Sequence, residues 1–164
     1  AISILFVSLV IIYGFEFHWI NNTINVHHLF IYSGIAGILL GFFIGNKITR
    51  EMNRGLEKFQ INLLVIFLTT AFSPLAGSLT NRLLSPNSTV LQEFTFFEEK
   101  PKGDFYVISK DPPKPNAYFI FAIKDGKMHR IKSSTKRFEG FNRGDKIQLP
   151  VKKGLWGLEV IYLK

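Results

Sequence analysis

The hydrophobic positions change their rhythm near residue 90. Before it they come in long unbroken runs, and after it in short stretches with partial alternation. Ala1 to Phe15 carries no charge and, continued to Ile20, reaches the length of a membrane crossing, with Glu16, His18 and Trp19 at its outer edge. Leu29 to Gly45 is seventeen residues without a charge, and Ile61 to Leu79 is nineteen, with Asn62 near its start and Pro74 late in it. A helix needs ~20 mostly apolar residues to cross the hydrocarbon, with ~17 the lower limit. A surface helix of a soluble protein would show a polar stripe, and none of the three runs has one. The pattern predicts three transmembrane helices in residues 1–85. The first run has no basic leading region and no small-residue cleavage pattern, so a retained helix is expected rather than a secretory signal.

From Val90 the period shortens. Val90–Phe97, Asp104–Ser109, Ala117–Ile123, Lys127–Lys132, Lys146–Val151 and Leu158–Leu163 are β-branched and aromatic enough to predict six strands. Asp125-Gly126 between two of them is the strongest short hairpin signal, and Gly154-Leu155-Trp156-Gly157 marks another turn. Lys110 to Pro115, with three prolines, reads as a stiff loop. Residues 86–89 read as a linker and 90–164 as a small β-rich domain, in the size class of OB-like or SH3-like barrels or a sandwich. The expected fold class is therefore α+β: a three-helix transmembrane domain followed by a small all-β extramembrane domain.

Composition narrows the function classes. With 47% hydrophobic residues and 17 phenylalanines, the chain is too apolar for a disordered tail. The absence of cysteine excludes disulfides, thiolate metal sites and cysteine nucleophiles. The net charge of +8 is uneven, since only Lys47, Arg50, Arg54, Lys58 and Arg82 among the 20 basic residues precede residue 90. Four of these lie in 46–60, while 16–28 holds none, so the positive-inside rule puts 46–60 in the cytoplasm and 16–28 outside. Three crossings then put the C-terminal domain outside as well. The expected location is a bacterial inner membrane or its equivalent, with that domain periplasmic or extracytoplasmic. Arg82 and Asn81 are expected to snorkel toward the outer headgroups. The sequons at Asn21 and Asn87 fall on the same side.

The sharpest motif is in the second run. Ser33, Gly37, Gly41 and Gly45 recur every four residues, with Gly34 beside them, giving overlapping small-xxx-small units on one helix face. Such a face lets helix backbones approach closely; it serves packing within the chain, self-association, or docking to other membrane subunits. Glu16, His18, His27 and His28 lie in or beside one short loop and have the right chemistry for a metal or cofactor contact. No helical ligand spacing supports one, and no cofactor is expected. Lys127, Arg130, Lys132, Lys136, Arg137 and Arg143 lie among Tyr118, Phe138 and Phe141, a composition suited to anionic headgroups or surface polymers. Outside a membrane, nucleic acid is not an expected partner. Arg143-Gly144-Asp145 reads as the turn opening a strand. Glu98, Glu99, Asp104 and Asp111 have lysines nearby, as ordinary surface carboxylates do.

No phosphate loop, nucleophile elbow, zincin motif or dinucleotide fingerprint occurs. The expectation is a non-catalytic integral membrane protein, an accessory or structural subunit of a larger complex. Its outer β-domain would contact a partner protein or an anionic polymer. The alternative is a small homo-oligomeric channel or transporter component built on the glycine face.

Overall fold

The structure, a computed structural model, describes residues 2–86, 88–102, 115 and 117–163. The helices are α1 (Ile2–Asn21), α2 (Val26–Ile48) and α3 (Gly55–Leu83); the strands are β1 (Thr89–Pro101), β2 (Tyr118–Lys124), β3 (Lys127–Ser133), β4 (Lys146–Lys153) and β5 (Glu159–Ile161). Among the described residues two helices, α2 and α3, are long and apolar enough to cross a membrane. This corrects the expectation of three crossings. Among the described residues the apolar stretch of α1 is Phe6–Asn21, shorter than a span.

The chain forms two compact units. The first comprises Ala1–Phe17, Asn25–Ser85 and Gly154–Leu158. Its frame is the antiparallel pair α2 and α3. Along that seam Gly77 of α3 faces Ser33 and Leu29, Gly37 faces Ser73 and Thr69, Gly41 faces Ile66 and Thr69, and Gly45 faces Asn62. Pro74 lies inside α3 and is buried. Its ring nitrogen cannot donate to the Thr70 carbonyl, and the Ser73 hydroxyl donates to that oxygen instead at 2.8 Å. Helix α1 meets α3 through side chains, with Phe6 and Tyr13 both edge-on to Phe72.

The second unit comprises His18–Ile24, Pro86–Lys153 and Glu159–Lys164. Its strands form one antiparallel sheet in the order β3-β2-β1-β4-β5, curled into a nearly closed barrel. The thirteen-residue β1 makes the curl. Its first half, Thr89–Thr95, pairs with β4 and its second half with β2, and the register slips between Phe96 and Glu98. Such a bulge bends a strand and increases its twist. Asp125 and Gly126 both take positive φ, 51° and 71°, the type I′ geometry expected of the β2–β3 hairpin. Phe94, Ile120, Ile131, Leu149 and Ile161 form the centre of the core.

Closure comes from a segment that is not a strand of the sheet. Asn22 accepts from the Ile161 amide through its carbonyl at 2.9 Å, and the Ile24 amide donates to the Glu159 carbonyl at 2.8 Å. On its other side the Asn22 carboxamide donates to the Lys132 carbonyl at 3.0 Å and accepts from the Lys132 amide at 2.8 Å. Residues 22–24 thus bridge the two edge strands, β5 and β3, and Ile24 joins the core.

The predicted strands near residues 90, 117, 127 and 146 are all present, and the last is shortened to Glu159–Ile161. The predicted strand Asp104–Ser109 lies outside the described residues, as do Asp111 and all of the stiff loop except Pro115.

Candidate functional site

Within the helical unit the small-residue face is occupied. A Cβ built on Gly41 would lie 2.6 Å from the Cα of Ile66, and one on Gly37 would lie 2.8 Å from the Cβ of Ser73. Ser33, Gly37, Gly41 and Gly45 are all buried against α3. Gly34 is not part of this contact and has open space where a Cβ would stand. The motif therefore packs α2 against its own chain. Beside the seam an apolar cavity of about 360 Å³ is lined by Ala36, Leu40, Ile44, Phe72 and Ala76 among others.

Glu16 is 3% exposed. A buried carboxylate is tolerable only when paired and hydrogen-bonded, and α3 supplies both. Arg82 donates to the two carboxylate oxygens at 3.2 and 2.8 Å, and the Ser78 hydroxyl adds a bond of 2.7 Å. The expectation that Arg82 and Asn81 snorkel outward is corrected on this point. Arg82 turns inward because Glu16 is there. Asn81 is 1% exposed, and its side chain donates to the Leu158 carbonyl at 3.2 Å and accepts from the Trp156 amide at 3.0 Å. A backbone bond from the Leu155 amide to the Asn81 carbonyl completes the clasp that holds Gly154–Leu158 at the end of α3.

The candidate metal set does not assemble. Glu16 is committed to Arg82, while His27 and His28 meet edge-on at 4.1 Å and His28 stacks on Tyr32. Among the described residues no group of three or more His, Asp or Glu has metal-binding geometry. His18 belongs to the β unit, where its ring lies against Trp19 and within 3.5 Å of the Asn22 carboxamide.

The basic residues of the β unit are dispersed. Arg130 lies over Phe119 at 5.0 Å and Arg143 over Phe97 at 3.6 Å. Lys136 pairs with Glu139, the Arg137 guanidinium donates to Ser133, and Lys127 stands exposed beside the hairpin turn. Glu99 accepts from the backbone amides of Arg137 and Phe138. Arg143-Gly144-Asp145 forms the turn before β4, with Gly144 at φ 103° and its amide donating to the Phe96 carbonyl.

Two features carry no signal in the sequence. One is a polar group of Gln92, Lys124 and Glu159 from β1, β2 and β5. Lys124 pairs with Glu159 at 2.5 Å and also donates to Gln92, and Gln92 donates to the other Glu159 oxygen at 3.1 Å. Burial raises the Glu159 pKa, but the bonds from Lys124 and Gln92 outweigh it and leave the carboxyl below its ordinary value. The other is a cavity of about 340 Å³ lined by His18, Lys102, Ala117, Lys132 and Ser134. Burial, and then the charge of Lys132, hold the His18 pKa below its ordinary value.

No protein-family model, curated protein or solved structure matches the chain.

Proposed function

We propose that the chain is a non-catalytic integral membrane protein, an accessory or structural subunit of a larger membrane assembly. The observation that carries this is the outward face of the helices. Phe15, Phe43, Leu56 and Phe67 are each 67–77% exposed, and large apolar side chains stand out along the length of α1 and α2 and the first half of α3. The most apolar windows of α2 and α3 are only 28% and 22% buried, where the core helix of a soluble protein would be mostly covered. In water each such side chain left exposed forgoes roughly 1.5–3 kcal/mol of burial; in lipid that loss disappears. The hydroxyls of Ser33, Thr69 and Ser73 bond carbonyls of their own helices, which suits a medium without water.

In this proposal α2 and α3 cross as a hairpin, with the Lys/Arg-rich segment 46–60 cytoplasmic and the β unit outside, where it contacts a partner protein or an anionic surface. The channel alternative gains no support, because the glycine face on which a ring would be built is packed against α3. The test is alkaline extraction of native membranes combined with labelling of cysteines placed at Asn53 and Lys127. Retention in the pellet and labelling from opposite sides are expected. Release as a soluble chain, or labelling of both positions from one side, would end the proposal. Native mass spectrometry in mild detergent then reads the partner: a stoichiometric foreign chain supports the subunit, and a ring of identical chains the channel.

A further inference from the structure

We infer that the cavity framed by His18, Lys102, Lys132 and Ser134 is a phosphate-binding site. All four lie in the β unit, and Ala117 forms the apolar floor. Two lysines, a histidine and a serine line one concavity, and the ammonium, imidazole and hydroxyl groups they carry are the donor set a phosphate group demands. Among the described residues no carboxylate lines it, and neither Lys102 nor Lys132 has an ion-pair partner there. Four other lysines of this unit are paired with carboxylates: Lys100 with Glu98, Lys124 with Glu159, Lys136 with Glu139 and Lys146 with Glu93.

The site is also built. Asn22 grips the Lys132 backbone from both sides while its amide nitrogen lies 3.5 Å from the His18 ring. The Lys102 amide bonds the Ala117 carbonyl at 2.9 Å, which fixes the opposite wall. The backbone positions that carry Lys102 and Lys132 are thus held by hydrogen bonds. Burial first, and then the charge of Lys132, lower the His18 pKa, and an anion in the cavity would offset only the second of these. The phosphate has two sources, a soluble phosphate compound or the headgroup of an anionic lipid. This inference rests on the proposed contact of the β unit with anionic partners and not on membrane insertion.

Trp19 is the reporter, since its ring lies 5.2 Å from His18 and 4.7 Å from Tyr162. Trp156 is the only other tryptophan, so a Trp156→Phe background isolates the signal. The full chain is placed in nanodiscs of phosphatidylcholine. One arm titrates inorganic phosphate and glycerol phosphate against chloride at matched ionic strength; the other adds phosphatidylglycerol to the nanodisc. The pair Lys102→Gln with Lys132→Gln is expected to weaken the response about tenfold or more, as loss of charge-assisted bonds does. Lys132→Arg should restore part of it. Lys127→Gln with Arg143→Gln removes the same charge from the wider basic surface and should change the response to the soluble phosphates less than about twofold. A response to the soluble phosphates assigns a soluble ligand, and a response to phosphatidylglycerol alone assigns a headgroup. If the Lys127/Arg143 pair loses binding and the Lys102/Lys132 pair does not, the cavity is not the site while the wider anionic contact stands. If neither pair matters in either arm, both fail.

Discussion

Asn22→Ala tests how the barrel is closed. The substitution removes the two bonds between the carboxamide and the Lys132 main chain while leaving the Ile161–Asn22 and Ile24–Glu159 backbone bonds in place. Each lost hydrogen bond is worth about 0.5–1.5 kcal/mol net, and a donor or acceptor left dry costs about 1–3 kcal/mol. Lys132 is half-buried, so water reaches part of the vacated edge, and a total of about 2–4 kcal/mol is expected. That is a large share of the ~5–15 kcal/mol stability of a small domain. The assay is amide hydrogen exchange at Lys132 with a urea midpoint for the β unit, read in the full chain. Asn53→Ala, at an exposed position, serves as the control. Faster exchange confined to β3 and the 22–24 segment, with a lowered midpoint, is expected. An unchanged Lys132 amide and an unfolding free energy within about 0.5 kcal/mol of the parent would refute the closure. By the same reasoning residues 90–164 expressed alone lack the segment that bridges β3 and β5, and adding residues 18–24 in trans should raise their stability.

Gly41→Ile should loosen the α2–α3 seam by about 1–3 kcal/mol, the usual cost of overpacking, because its Cβ would collide with the Ile66 backbone. Gly34→Ala, facing open space, should be neutral; thermal stability in detergent compares the two, and equal values would remove the seam from the account. Glu16→Ala leaves the Arg82 guanidinium without its carboxylate partner and should cost about 3 kcal/mol, whereas Glu16→Leu combined with Arg82→Leu should recover much of that; a silent Glu16→Ala in the same melting assay would show the pair to be idle. For Glu159, whose folded pKa lies below its unfolded value, the stabilisation is present above the ordinary carboxylate range and lost as pH falls through the folded pKa. Urea midpoints of the β unit should therefore decline on acidification with a smaller slope in Glu159→Gln, and identical slopes would contradict the assignment.

The linear pattern of residues was enough to place both long apolar helices, the helical spacing of Ser33, Gly37, Gly41 and Gly45, the Asp125-Gly126 hairpin and the β character after residue 90. Each is local: helix period, strand alternation and turn chemistry act over a few neighbours, so they survive in a linear reading. What the small-residue face packs against is not local, since a glycine specifies close approach but not the partner, and only the fold brings Ile66 and Ser73 opposite it. The same holds for charge. Glu16 and Arg82 are 66 residues apart, and an isolated arginine near a helix end reads as solvated until a buried carboxylate appears beside it. Asn22 is the clearest case. In sequence it is one polar residue of a short loop after an apolar helix; in the structure its carboxamide mimics a strand partner for Lys132, 110 residues away. A hydrogen-bonding side chain has no periodicity, so its role is decided only when the sheet curls far enough to bring its two edges within reach of one residue.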